Sequence, residues 1–301
     1  MRAGRVAVLG GTLLVLSSCS VPPQVTVLCT TTIVGDVVRE IAGDDVSVTV
    51  LLPVGADPHA FQASPRDAIA VEAADLVFLS GAGLEGSLAP LLQAARGRVV
   101  DLSSGLTLRQ REAGAADPHP EEGGVDPHVW FDPRNVAAWS ETIAQALAEA
   151  DPDRASLYRA RVNAYQEEIG ELDLWIRDRV ATVPEEARRL VTDHEAFGYF
   201  ADLYGFEQTG TIFAGYSTLS EPSARELAAL EDAIRAAGVP CLFVGTTIPS
   251  DLAERVAADT GTRIVFLYTG SLSEPGGPAA TYLDLMRFDV EQIVEGLAVS
   301  L

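Results

Sequence analysis

The chain has 301 residues, 48% of them hydrophobic and 21% charged, enough for two lobes with real cores. It carries 43 Asp and Glu against 21 basic residues, every one an Arg, for a formal charge of −22 at pH 7. Such a surface repels phosphate backbones and so argues against a nucleic-acid partner, while it suits a cationic ligand.

The fold does not begin at Met1. Arg2 and Arg5 precede an apolar run at 6–16 that is too short to cross a bilayer as a helix, so residues 1–18 read as a signal peptide. Leu16-Ser17-Ser18-Cys19 resembles a bacterial lipobox, in which Cys19 would be lipidated and become the new N-terminus; an ordinary signal peptide with a chance Cys is the alternative. Residues 19–24, with Pro22-Pro23, form the tether. The other two cysteines, Cys29 and Cys241, lie in apolar runs in opposite halves and read as small buried hydrophobes rather than a disulfide.

A β-rich run at 25–31 is followed by helical spacing over 33–42 and a second strand at 46–52. Ser64-Pro65-Arg66-Asp67 opens a helix, with Ser as cap, Pro in the first turn and Asp reaching back. A strand at 76–79, a helix at 86–95 and a strand at 98–102 come next. Residues 106–124 are polar, Gly-rich and without periodicity, a loop. Asp132-Pro133 caps a helix over 134–149. From Asp153 to Thr182 the apolar residues Tyr158, Val162, Tyr165, Ile169, Leu172, Ile176 and Val180, continuing to Val183, step by three or four along one helix face. At ~1.5 Å per residue that helix is roughly 45 Å long, a strut between lobes rather than a surface helix of one domain. Beyond it come strands at 189–192, 206–212, 241–244 and 264–267, with helices at 195–204, 224–237, 251–260 and 281–297. Ser223-Ala224-Arg225-Glu226 is a capping box. Strand and helix alternate in both halves. The expected fold is α/β, with an N-terminal lobe at 25–150, a connecting helix at 151–183 and a C-terminal lobe at 184–301, each lobe a parallel sheet flanked by helices.

The chemistry points to histidine. Only four occur, and three share one tripeptide: Asp57-Pro58-His59, Asp117-Pro118-His119 and Asp126-Pro127-His128. The fourth is Thr192-Asp193-His194. His59 follows the second strand, and His194 ends the first strand past the strut. These are carboxyl ends of parallel strands, where open α/β sheets bind ligands. A lone His in a turn is usually a solvated surface residue, but here no His is spent elsewhere. Several neutral imidazoles meeting at one point suit Zn²⁺ ahead of Mn²⁺, which is better served by oxygen, and the preceding Asp residues could orient the rings.

Together with the lipobox, the runs G-A-D-P-H-A-F at 55–61, S-P-R-D at 64–67, D-P-H-V-W-F-D-P at 126–133 and H-E-A-F-G-Y-F at 194–200, the third and fourth flanking the long helix, resemble the zinc/manganese solute-binding lipoproteins of bacterial ABC importers. E-P-S-A-R-E-L at 221–227 and T-Y-L-D-L-M-R-F at 281–288 are similar to that family too. The resemblance implies two α/β lobes bridged by one rigid helix, with His59, His128 and His194 as metal ligands between them. It implies delivery of the ion to a permease with its ATPase, and a monomer anchored outside the cytoplasm to the cell membrane by its lipid. His at the third ligand position resembles the zinc members. One departure stands out: the run 267–272 reads L-Y-T-G-S-L, placing Gly270 where the family usually carries a ligating Asp. His119 is expected to visit the metal transiently from its Gly-rich loop. Two rival functions fit three His with an open position: a zinc-dependent hydrolase acting through bound water, and a surface adhesin in which metal is structural. The lack of an H-E-x-x-H motif favours transport over enzyme.

Overall fold

The computed structural model describes residues 25–110, 124–219 and 221–298. Its first half forms β1 (Thr26–Cys29), α1 (Thr32–Ala42), β2 (Ser47–Val50), α2 (Pro65–Ala73), β3 (Leu76–Leu79), the one-turn α3 (Ala89–Leu92), β4 (Arg98–Asp101) and α4 (Pro133–Ala150). The long α5 (Ala155–Val180) follows a short 3₁₀ turn at Pro152–Arg154. The second half forms β5 (Arg189–Thr192), α6 (Gly198–Tyr204), β6 (Glu207–Thr211), α7 (Ala224–Ala237), β7 (Cys241–Gly245), α8 (Asp251–Thr260), β8 (Arg263–Leu267) and α9 (Tyr282–Ala298).

Each half builds one four-stranded parallel sheet, in the order β2-β1-β3-β4 and β6-β5-β7-β8. The two orders are the same pattern, with the chain reversing direction across the sheet beside β1 in one and β5 in the other. Local chemistry fixes the helix starts. Ser64 with Asp67 and Ser223 with Glu226 close reciprocal capping boxes on α2 and α7. Asp132 accepts from the Arg134 backbone N–H to start α4.

Two expected helices differ. The stretch 86–95 breaks into a 3₁₀ turn, Gly86–Leu88, and α3, because Pro90 has no N–H to continue the ladder. The helix expected at 195–204 begins at Gly198 instead. The backbone of His194 is committed elsewhere: its carbonyl accepts from the Thr192 hydroxyl (2.6 Å) and the Ala196 N–H (2.8 Å).

Every residue of the α5 stripe, from Tyr158 to Val180, is buried, as is Val183 beyond it. The stripe packs on α1 and α4 from the first half and on α9 from the second. As a result the inner faces of both lobes form one continuous apolar core, running from Val27 and Val37 through Trp139, Tyr158 and Leu172 to Phe243 and Leu285. Two satellite cores cover the outer faces, one under α2 and one under α7 and α8. Cys29 and Cys241 are free and buried.

Candidate metal centre

The Asp-Pro-His tripeptide has a local conformation of its own. In both described copies the Asp carboxylate accepts from the His backbone N–H two residues on, Asp57 from His59 (2.9 Å) and Asp126 from His128 (3.0 Å). This is the turn that short acidic side chains favour, and Pro between them presets it. His194 reaches the same place from the end of β5, at the point where the second sheet reverses order.

The three rings converge. His128 Nε2 lies 3.2 Å from His59 Nε2 and 3.0 Å from His194 Nε2, and all three nitrogens fall within 4.8 Å of one another. Ligands of a tetrahedral ion at the usual Zn–N distance of about 2.0–2.1 Å stand about 3.3 Å apart, so the spacing fits an ion of that size. His128 Nδ1 meets Asp126 Oδ1 at 2.9 Å, and His194 Nδ1 meets Asp193 Oδ1 at 2.6 Å. A carboxylate at Nδ1 places the hydrogen there and the lone pair on Nε2. Two such lone pairs 3.0 Å apart repel each other unless a cation lies between them. His128 and His194 are almost completely buried, whereas His59 keeps part of its surface open. Asp57, Pro58, Thr247, Thr269 and Gly270 complete the walls of the space around the rings.

The electrostatics follow from burial. It pushes His59 and His128 well below the ordinary imidazole value, and the neighbouring rings push them the same way. Burial opposes charge on His194 most strongly, but Asp193 against its ring, together with Asp57 and Asp126 nearby, outweighs it and raises His194. Asp126 is pushed up to about 7 by burial, against the His128 N–H and Arg109, which favour its charge. Among the described residues its Oδ2 has no hydrogen-bond partner, and it sits 3.6 Å from Arg109 Nη1. Arg109 is held in turn by Asp202 (2.8 Å), and its backbone N–H donates to the Tyr199 hydroxyl (2.9 Å), which donates to the Asp126 carbonyl (3.1 Å).

The sequence-predicted residues fall into three groups. His59, His128 and His194 are brought together. His119 and Cys19 lie outside the described residues. Gly270 is at the site, and a Cβ built there would fall 2.8 Å from Pro58 Cδ, so Pro58 takes up the space a side chain would need. Arg109, Tyr199 and Thr218 were not legible beforehand; the Thr218 hydroxyl donates to Asp57 Oδ2 (2.5 Å) across the lobes. Gly198 offered a faint signal inside its motif: a Cβ there would stand 2.5 Å from Asp126 Oδ2.

Comparison with known proteins places this geometry in context. Over 268 residues the chain is 35% identical to the manganese-binding lipoprotein MntA of Halalkalibacterium halodurans, covering 88% of this chain and 86% of that one. It is 32% identical to the zinc-binding protein TroA of Treponema pallidum over 283 residues, covering 90% and 88%. The solved structure of TroA superposes with a TM-score of 0.83 at 29% identity, covering 91% of this chain and 99% of that one. A third relative, the metal ABC transporter substrate-binding lipoprotein SsaB of Streptococcus sanguinis, is 29% identical over 281 residues, 90% of this chain and 89% of its own. The family model described as the periplasmic component A of the zinc-uptake complex, ZnuA, matches residues 27–296. The chain therefore belongs to the ZnuA family of metal-binding substrate-binding proteins of ABC importers, which are carriers and not enzymes.

Proposed function

We propose that the chain captures one Zn²⁺ at His59, His128 and His194 and delivers it to the permease of an ABC importer. It acts as a monomer outside the cytoplasm, anchored to the cell membrane through a lipid on Cys19. Lobes at 25–150 and 184–301, linked by 151–183, hold the ion between them. The observation that carries zinc over manganese is the donor set: three imidazole nitrogens converge, with no carboxylate oxygen among the cluster of described residues. The printed names of the relatives, manganese for one and zinc for another, do not decide between the two metals. With Gly270 supplying no side chain, a water takes the fourth position. His119 serves as a transient ligand that passes the ion inward.

The test is zinc stoichiometry and competition with a chromophoric chelator on the purified chain. One Zn²⁺ per chain is expected, held more tightly than Mn²⁺. Alanine at any one of the three His should weaken it beyond the roughly 10–100-fold typical of losing an outer partner. A triple variant that still holds stoichiometric zinc refutes the assignment. His119→Ala should lower the capture rate alone.

A further inference from the structure

The three histidines are not held alike. His128 and His194 each have a carboxylate on Nδ1. Among the described residues, no hydrogen bond reaches the ring nitrogen of His59 on that side, and Asp57 takes only its backbone N–H. The position of the His59 ring is therefore set by its loop, residues 55–59, and His59 is also the one of the three residues that is not fully buried. That loop belongs to the first lobe, where the Ala56 N–H donates to the Pro53 carbonyl (3.1 Å), but two further fastenings come from the second. The Gly55 N–H donates to Ser271 Oγ (2.9 Å). The Thr218 hydroxyl donates to Asp57 Oδ2. Pro58 rests on Gly270 between these two points. Ser271 is itself buried and fixed: its Oγ lies 3.3 Å from Thr32 Oγ1, which accepts from the Leu272 N–H (2.8 Å).

We propose that Ser271 and Thr218 are positioning residues that pin the His59 loop shut over the bound ion and so set its release rate. This rests on the reading of His59 as a ligand. An ion held by two buried, carboxylate-fixed rings can leave only past the third, and the third moves when its loop lifts. Lifting the loop breaks the hydrogen bonds at Gly55 and Asp57, both of which join one lobe to the other. The pins form as the loop seats, so their loss falls on release rather than on capture.

The experiment loads the full chain with Zn²⁺ and follows release into excess chelator by stopped flow, with capture measured separately. A neutral hydrogen bond is worth about fivefold in such a rate. Ser271→Ala, which loses a neutral bond, should speed release about fivefold; Thr218→Val, which loses a bond to the Asp57 carboxylate, should speed it at least about tenfold, and the double variant more than either. Thr218→Ser, which keeps the hydroxyl, should restore slow release, which a purely steric role for the methyl would not predict. Should Ser271→Ala misfold, Thr218→Val and Thr218→Ser carry the test alone. Release at the wild-type rate from Thr218→Val overturns the proposal, as does equally fast release from Thr218→Ser and Thr218→Val. His59→Ala in the same assay separates the two readings. If it keeps stoichiometric zinc, the ligand assignment falls; if it loses zinc while the pin variants release normally, only the pinning falls.

Discussion

Replacing Asp126 separates the charge behind the His128 ring from its shape. Asp126 Oδ1 accepts from His128 Nδ1 at 2.9 Å and from the His128 backbone N–H at 3.0 Å. Asn in the same place keeps an acceptor for both bonds and removes the charge. Hydrogen bonds to charged groups contribute about 1.5–3 kcal/mol and neutral ones about 0.5–1.5 kcal/mol, so the difference is roughly 1–1.5 kcal/mol. That is a loss of about 5–12-fold in zinc affinity for Asp126→Asn measured above pH 7, where Asp126 carries its charge. Asp126→Ala also frees the ring to rotate and leaves Nδ1–H buried without an acceptor, so its loss should approach about 100-fold. Competition titration of purified variants against a chromophoric zinc chelator measures both, with the thermal midpoint of the metal-free chain as a folding control. The order wild type, Asn, Ala is the essential result. If both variants bind as tightly as wild type, Asp126 does not act through His128, and the reading of His128 as a ligand loses its support.

Three further outcomes follow from the same geometry. Zinc affinity should fall as pH drops from about 7.5 to 5.5, because protons compete for the ligand nitrogens. Asp193 raises His194 while His59 and His128 are lowered, so near neutrality the competition centres on His194; titration calorimetry in buffers of different ionisation heat would read the protons released, and flat affinity would refute it. Asp36 is pushed up to about 6 by burial, from an ordinary 3.8, so its charge weakens the native state above pH 6 and the penalty vanishes as pH falls through 6 to 4. Asp36→Asn should then be more stable than wild type at pH 8 by up to about 3 kcal/mol, the gap closing by pH 4 in urea titrations; a gap that does not change with pH would sink this. Finally, Gly270→Ala should weaken zinc binding by displacing Pro58, while Pro58→Gly in the same chain relieves the clash; chelator competition on the single and double variants checks the coupling.

Much of this was legible because buried parallel strands read as short apolar runs and α5 as a stripe of three- and four-residue steps. The rare histidines, in a repeated tripeptide, marked the site before any coordinates. What stayed hidden was how identical local chemistry diverges in space. Asp57 and Asp126 make the same turn in the same tripeptide, yet Asp126 also reaches its own ring whereas Asp57 turns to Thr218 on the other lobe. No spacing rule encodes a partner 161 residues away. The late start of α6 was hidden for a similar reason, since the residues on either side of His194 are tied to distant segments, the Asp193 N–H to the Phe243 carbonyl and the Glu195 N–H to the Gly215 carbonyl. The meeting of both lobes in one core was likewise invisible, because each half alone has the apolar content of a domain.

The shared core also orders events in time. Tyr282, at the start of the last helix, donates its N–H to Asp36 (2.7 Å) and its hydroxyl to the Trp130 carbonyl (2.8 Å), both in the first half of the chain. The inner wall built by α1, α4 and α5 is thus completed by a segment made well after them. An emerging or partly threaded chain can form the outer layers of its first sheet, but it keeps an uncovered apolar wall until residues 282–298 arrive. His59 and His128 precede His194, and the loop carrying Ser271 comes later still, so a nascent chain has no finished cage in which to trap a stray ion. Assembly of the proposed cargo site then follows the arrival of the helix at 282–298.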